Sequence, residues 1–225
     1  MQVTLNQEIT ATNVSIIHQS FLWMCIGLSI TAFSSLLVAS NQTLVNAISA
    51  NSLVFFGLII AELALVFFLS VRITKISFET ALVSFLAYSL LNGVTLSAIF
   101  LLYTGASIVS TFFVSAGAFG IMALYGYTTK KDLTTIGNLA LMALFGIILA
   151  SIVNIFLHND AFGFVLSCIA VIIFIGLTAY DTQKIKQLAY TSRSANFGIV
   201  GALTLYLDFI NIFLNLLRIM GRRRD

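Results

Sequence analysis

The amino-acid sequence predicts an all-α membrane protein with seven transmembrane helices. Of its 225 residues, 60% are hydrophobic and only 8% are charged, whereas soluble domains carry about 25% charged residues. Seven apolar segments are long enough to cross a hydrocarbon core of about 30 Å, which takes roughly 17 to 25 helical residues. Because the connections between these segments are short, we expect consecutive helices to be antiparallel neighbours.

The seven predicted helices lie within residues 21–225, and residues 1–20 form a tail that we expect to be cytoplasmic. The helices are Phe21–Ala39, Ser52–Val71, Ala81–Leu102, Ala106–Tyr127, Gly137–Leu157, Ala161–Tyr180 and Phe197–Ile219. The tail contains Glu8 but neither lysine nor arginine. Since it lacks the basic region that begins a signal peptide, the first helix is expected to be retained.

The basic residues predict the orientation. Those between helices all follow the second, fourth or sixth helix: Arg72, Lys75, Lys130, Lys131, Lys184, Lys186 and Arg193. This bias places the N-terminus and these loops in the cytoplasm. Seven spans then put the four arginines at the end of the chain on the opposite side, which conflicts with the rule that basic residues flanking membrane helices lie in the cytoplasm. Either the last segment crosses or it is re-entrant, and a 23-residue apolar run favours crossing.

The last apolar helix carries a stripe of polar residues at helical spacing. Its members follow each other in steps of four, three, four and three: Thr204, Asp208, Asn211, Asn215 and Arg218. Such steps place them on one face. An aspartate at the centre of a lipid-exposed helix costs roughly 3 kcal/mol. The stripe therefore predicts a buried helix whose polar face meets protein or a water-filled path.

Three further ionisable groups lie within or at the ends of the predicted helices: Glu62, Arg72 and Asp181. Charges in the membrane are candidates for function. Neutral polar residues also share a face of the third helix and of the fifth: Ser84, Tyr88, Asn92 and Thr95, then Ser151, Asn154 and His158. For most of these, interhelical hydrogen bonding is the favoured interpretation.

A pair formed by Asp181 and Asp208 would respond to pH. At about 4 Å and an effective dielectric constant near 20, two ionised carboxylates repel by roughly 4 kcal/mol. They would share one proton and titrate as a unit, bridging two helices when singly protonated and separating when both ionise. Arg72 would favour the ionised form. One geometric objection stands, because Asp208 lies about 16 Å into its helix whereas Asp181 is expected at a helix end.

Two stretches resemble the Bax inhibitor family, with small bacterial members as the nearest likeness. They are TAYDTQKIK, from Thr178, and ALTLYLDFINIFLNLLRI, from Ala202, and a TKKDL loop at Thr129–Leu133 supports them. The resemblance implies six helices wrapped around a central C-terminal helix. It also implies a pH-sensitive calcium leak gated by two aspartates, which fall by motif on Asp181 and Asp208.

The same resemblance suggests roles for two further residues. Family members carry an acidic residue within the second helix, which matches Glu62, and a basic residue near its cytoplasmic end, which matches Arg72 approximately. We therefore expect Glu62, Asn211 and Asn215 to line an ion path and Arg72 to act on the aspartate pair. Calcium would be the transported ion, with no tight metal site and no cofactor.

Two other classes of protein are weighed against a leak. An intramembrane aspartyl protease would use Tyr180-Asp181, but the second aspartate lies in LYLD without the expected glycines, and the chain has no proline for a third motif. A non-catalytic regulator would bind a membrane protease or a stress or cell-death partner through the tail. We expect no enzymatic activity, and the few basic residues argue against a nucleic-acid partner.

In the absence of proline, the fourteen glycines are the candidates for helix kinks and close helix contacts. Two pairs illustrate this expectation, namely Gly117 with Gly120 and Gly198 with Gly201. A glycine allows two helix backbones to approach closely because it has no Cβ. Each pair is therefore a candidate for either a kink or a close contact.

Overall fold

The computed structural model describes residues 2–49, 51–72, 75–191 and 196–224, with side chains from Ile16 onward except at 42, 46, 49, 52, 55, 190 and 191. These residues are almost entirely helical. The helices are α1 (Gln2–Ala39), α2 (Gln42–Ser49), α3 (Ser52–Arg72), α4 (Phe78–Leu96), α5 (Ile99–Leu102), α6 (Gly105–Thr128), α7 (Thr134–Leu157), α8 (Asp160–Thr191) and α9 (Asn196–Met220).

Six described segments are long and apolar enough to cross a membrane. They are Ile16–Ala39, Phe78–Leu102, Gly105–Thr128, Thr134–Leu157, Asp160–Ala189 and Asn196–Met220. Burial differs sharply among them. In α9, 67% of the most apolar stretch is buried, whereas in α7 none of it is. The last helix is thus a buried one, as its polar stripe predicts, and α7 exposes an apolar surface suited to lipid.

The most consequential correction concerns the sixth predicted helix. We expected it to end at Tyr180, but α8 continues for eleven further residues to Thr191. Asp181, Lys184 and Lys186 therefore lie within a helix and not in a loop. The hydroxyl of Thr182 is accommodated there because it donates to the carbonyl of Thr178 one turn earlier, at 2.7 Å. Arg193, which was predicted in the following loop, lies outside the described residues.

Two smaller corrections affect the first half of the chain. The third predicted helix is interrupted, since α4 ends at Leu96 and α5 begins at Ile99. At the interruption the Ser97 hydroxyl donates to the carbonyl of Val94 at 2.6 Å and so tightens the last turn. The short helix α2 was not predicted, and it occupies the connection after α1.

The turn between α7 and α8 is encoded locally. His158 ends α7 in the left-handed conformation, with φ of 50°. Asn159 then begins α8, because its side-chain oxygen accepts a hydrogen bond from the amide of Phe162 at 2.9 Å. Asparagine is one of the preferred residues for this capping role. The consecutive residues His158 and Asn159 thus reverse the chain between two helices.

The chain forms two compact units. The first comprises residues 1–102 and 188–206 with residue 224, and the second comprises 103–187 and 207–223 with residue 225. In the first unit, α1 packs closely on α4 at two glycines. A Cβ at Gly27 would collide with the ring of Phe85, and one at Gly93 would collide with Ser34 and the backbone of Thr31.

The core of the second unit is rich in aromatic side chains. Phe112 and Phe119 on α6 contact the ring of Phe209 on α9 edge to face, with ring centroids 5.4 and 5.7 Å apart. Phe112 also contacts Phe213 one turn further along α9, at 6.4 Å. Such edge contacts add to the effect of apolar burial.

Of the glycines singled out from the sequence, one lies at a close helix contact and two do not. A Cβ at Gly198 would lie 2.8 Å from the side-chain oxygen of Gln19, so this glycine does mark a close contact between α9 and α1. In contrast, Gly117 and Gly120 have open space where a Cβ would lie. Sequence alone cannot distinguish these cases, because it does not tell which face of α6 meets a neighbour.

Candidate functional site

The two aspartates singled out from the sequence interact electrostatically within the second unit. Asp208 is only 4% exposed, and Asp181 is half-buried. The continuation of α8 removes the geometric objection, because Asp181 lies well inside the helix and about 15 Å before its last residue. Lys184, one turn further along α8, is the nearby cation that acts on Asp181.

The environment of Asp208 leaves one carboxylate oxygen unsatisfied. Oδ2 is buried and has no hydrogen-bond partner within the described ranges. An ionised carboxylate that is buried without such partners is strongly disfavoured. A proton or a cation at this oxygen would relieve the cost, so this carboxylate is suited to binding either one.

The part of α8 that follows Asp181 holds the loop between α6 and α7. The side-chain oxygen of Gln183 accepts a hydrogen bond from the amide of Leu133 at 2.9 Å, and its nitrogen donates to the carbonyl of Lys131 at 2.8 Å. Lys186 Nζ donates to the carbonyl of Tyr127 at 2.7 Å. A movement of α8 would therefore be transmitted to this loop.

Neighbouring helices pack tightly on α8 next to Asp181. A Cβ at Gly126 on α6 would collide with the backbone of Ala179, and one at Gly137 on α7 would collide with the ring of Tyr180. Both contacts involve residues that directly precede Asp181. The position of this carboxylate is therefore set by three helices of the second unit.

Glu62 is the centre of a separate polar network in the first unit. Its carboxylate on α3 accepts hydrogen bonds from Asn92 Nδ2, at 3.2 Å, and from the hydroxyl of Thr95. For these two residues the interpretation as interhelical hydrogen bonding is confirmed. Both oxygens of this half-buried carboxylate are engaged, so Glu62 is held by α4 in a defined position.

The sequence argument missed Tyr206 and Thr31, which extend this network. The Tyr206 hydroxyl donates to Asn92 Oδ1 at 3.1 Å and lies 2.6 Å from Thr31 Oγ1. Tyr206 lies off the polar stripe of α9. The available signal was the tyrosine itself, since a buried tyrosine hydroxyl usually finds a hydrogen-bond partner.

The remaining predicted site residues do not join either group. Arg72, the last residue of α3, is exposed. Asn211 and Asn215 are half-buried, and each donates its amide hydrogen to a carbonyl of its own helix at 2.8 Å, namely those of Leu207 and Asn211. Each asparagine thus uses one of its two amide hydrogens within α9.

The fold and these buried acidic groups define an α-helical membrane protein with carboxylates inside its helical core. The family profile described as "Inhibitor of apoptosis-promoting Bax1" matches residues 14–225, nearly the whole chain. The chain belongs to this family, the Bax inhibitor family. The resemblance drawn from the two aspartate motifs is thereby confirmed.

Bacterial relatives share most of their length with this chain. It is 51% identical over 212 residues to the inner membrane protein YbhL of Escherichia coli, covering 92% of this chain and 91% of that protein. It is 45% identical over 224 residues to an uncharacterized protein of Borreliella burgdorferi, covering 97% and 96%. It is 37% identical over 207 residues to an uncharacterized membrane protein of Streptococcus pyogenes, covering 90% of each.

Proposed function

We propose that this protein is a proton-gated cation leak, with calcium as the transported ion and Asp181 and Asp208 as sensor and gate. The observation that carries the proposal is the buried Asp208 carboxylate with its unsatisfied oxygen, which lies within electrostatic range of Asp181. Two carboxylates that approach each other closely share a proton more readily than both ionise. When the shared proton is lost, the two negative charges would repel each other, which would separate α8 from α9 and open a path for ions.

The proposed topology has seven spans. The 21-residue helix α3 is about 31 Å long, enough to cross a bilayer beside the six segments named above. In this arrangement α9 is the central helix, the N-terminus and the basic residues after the even-numbered spans are cytoplasmic, and the bacterial inner membrane is the location. The name of the Escherichia coli relative supports that location.

Glu62, Asn211 and Asn215 are the proposed lining of the ion path, and Arg72 the residue that favours the ionised pair. Carboxylate and amide oxygens are ligands that calcium prefers. A leak must release its ion quickly, so weak and successive contacts suit it better than one tight site. The protein needs no cofactor and carries out no catalysis under this proposal.

The test is calcium flux into liposomes that contain the purified protein, with the pH stepped from 8 to 6. We expect flux to depend on pH in the wild type, and Asp181→Asn and Asp208→Asn each to abolish that dependence, because neither retains a pair that can share a proton. Asp132→Asn is the matched control, since Asp132 lies exposed in the loop before α7.

Three outcomes would count against the proposal. An unchanged pH profile of flux in Asp208→Asn would rule out the aspartate pair as the gate. Flux of sodium or potassium equal to that of calcium would rule out calcium as the specific transported ion. Absence of flux at every pH from a folded protein would favour a regulator that binds a membrane protease or a stress partner, and would reduce both aspartates to structural groups.

A further inference from the structure

Four arginines with exposed side chains lie in the last turn of α9 or directly after it, and three of them belong to the second unit: Arg218, Arg222 and Arg223. We propose that they form a binding site for the headgroup of an anionic phospholipid. The proposal concerns a surface of the second unit that the leak does not use, and it does not depend on ion transport.

The backbone that carries two of these arginines is held in place. The amide of Thr104 donates to the carbonyl of Arg222 at 3.1 Å, and the amide of Arg222 donates to the hydroxyl of Ser107 at 2.9 Å. Arg223 forms an antiparallel bridge with Tyr103. An ordered segment loses little conformational entropy when it binds a ligand, so these contacts prepare the arginines for binding.

The third arginine is held against the start of α8. A Cβ at Gly163 would collide with the guanidinium group of Arg218, so this group lies directly on the helix backbone. The side-chain nitrogen of Asn154 approaches the same point, at 3.0 Å from that Cβ position. Arg218 thus has a defined position at the same end of α9 as Arg222 and Arg223.

The position of these residues in the chain suits a contact with lipid phosphates. Arg222 and Arg223 follow almost immediately after Asn196–Met220, an apolar segment long enough to cross a membrane, and Arg218 is exposed in its last turn. Tyr103, beside them, is an aromatic residue of the kind enriched at membrane interfaces. Because guanidinium groups bind phosphate oxygens in a bidentate manner, arginine suits this ligand better than lysine.

The charge at this end favours an anion. Among the described residues, Asp160 at the start of α8 is exposed close to Gly163 and opposes the three arginines with one negative charge. Asp225, which follows the arginines in the sequence, lies outside the described residues. The basic pair Lys130 and Lys131 lies beyond the other end of α6, a helix of 24 residues and therefore about 36 Å long. These two lysines are exposed and offer a matched control of equal charge.

The test is native mass spectrometry of the detergent-solubilised protein with phosphatidylglycerol or phosphatidylcholine, in the presence and absence of inorganic phosphate. We expect preferential binding of phosphatidylglycerol. The double variant Arg222→Gln/Arg223→Gln should weaken it by about fivefold for each arginine removed. Lys130→Gln/Lys131→Gln should leave it unchanged. Ser107→Ala retains every arginine but loosens the segment, so it should also weaken binding.

The proposal fails if the lysine variant loses as much phosphatidylglycerol as the arginine variant, since the effect would then be one of total charge. It fails as well if both lipids bind equally, or if inorganic phosphate displaces the lipid completely, which would indicate a site for a soluble anion. If the arginine variant does not fold, the Ser107→Ala variant provides the test. An unchanged preference for phosphatidylglycerol in Ser107→Ala would contradict the proposed role of the ordered segment.

Discussion

The hydroxyl oxygen of Tyr206 lies 2.6 Å from Thr31 Oγ1, although the two residues are 175 positions apart in the chain. Each hydroxyl has one proton and more than one acceptor. Tyr206 can donate to Asn92, at 3.1 Å, or to Thr31, whereas Thr31 can donate to Tyr206 or to the carbonyl of Ser89, at 2.8 Å. Thr31 can also donate to the carbonyl of Gly27, at 3.0 Å, so more than one arrangement of protons is consistent with one arrangement of helices.

Replacing Tyr206 with phenylalanine should lower the free energy of unfolding by about 1–2 kcal/mol, because Asn92 Oδ1 then loses its buried donor. Thr31 keeps the carbonyl of Ser89 as acceptor, so the loss is confined to one bond. Thermal unfolding in detergent measures the effect. Tyr125→Phe removes an exposed hydroxyl and should change nothing; equal midpoints for the two variants would argue against the network.

Glu62→Gln should reduce calcium flux severalfold, because it removes the negative charge of the proposed ion path. It also leaves one acceptor for the two donors, Asn92 and Thr95. Thr95→Val separates these effects, since it removes a hydrogen bond and keeps the charge. Flux through Thr95→Val should be close to that of the wild type, and the exposed Glu79→Gln serves as a control of charge. If Thr95→Val also loses calcium flux, the lost hydrogen bond and not the lost charge would explain the effect of Glu62→Gln.

Gly126→Ala should destabilise the protein by about 1–3 kcal/mol, because the added methyl group would collide with the backbone of Ala179 on α8. Gly117→Ala, in the same helix, should be neutral or stabilising by up to about 1 kcal/mol, since its Cβ enters open space. Denaturant or thermal unfolding compares them. Similar values for both would mean that α6 and α8 are not in close contact at Gly126.

The Asp132 carboxylate should stabilise the start of α7 only above acidic pH. The hydroxyl and the amide of Thr134 donate to it at 2.6 and 2.9 Å, and these bonds, the hydroxyl first, hold the pKa of Asp132 below its ordinary value. A lowered pKa in the folded state contributes stability at neutral pH that is lost as the pH falls through about 4 and below.

The corresponding measurement is the thermal midpoint of Asp132→Ala as a function of pH. The variant should unfold at a lower temperature than the wild type at pH 7, and the difference should shrink below about pH 4. Asp132→Asn is the control because it keeps an acceptor oxygen without a titratable proton. A difference between wild type and Asp132→Ala that does not vary with pH would exclude the ionised carboxylate as its cause.

The extent of several long helices could be predicted from local composition, although α1 begins at Gln2 and not at the predicted Phe21. The fourth predicted segment, Ala106–Tyr127, differs from α6 by one residue at each end, and the last segment differs from α9 likewise. The sixth segment failed because Asp181, Thr182 and Gln183 are typical of a loop. Their polar groups are satisfied within the fold, as when Gln183 binds the backbone of Lys131, so the helix continues.

The residues of the candidate site likewise differ in whether they could be predicted from sequence. Asp208 and Glu62 could be found from sequence because a charge within an apolar segment is conspicuous, whereas Asp181, expected at a helix end, was singled out by its motif. For Tyr206 the sequence could at most suggest that its hydroxyl has a partner, and it could not identify Thr31 as that partner. The tight contact at Gly126 was missed because no local pattern shows which face of α6 meets a neighbour.

The sequence by itself determined that the chain is helical, apolar enough for a membrane and acidic at three buried or half-buried positions. These properties depend on residues close together along the chain, through hydrophobicity and backbone hydrogen bonding. Only the tertiary structure decided which groups come together: Glu62 with Asn92, Tyr206 with Thr31, and Asp181 within electrostatic range of Asp208. The physical reason is that partners on different helices depend on which faces pack together, and no local pattern specifies that choice.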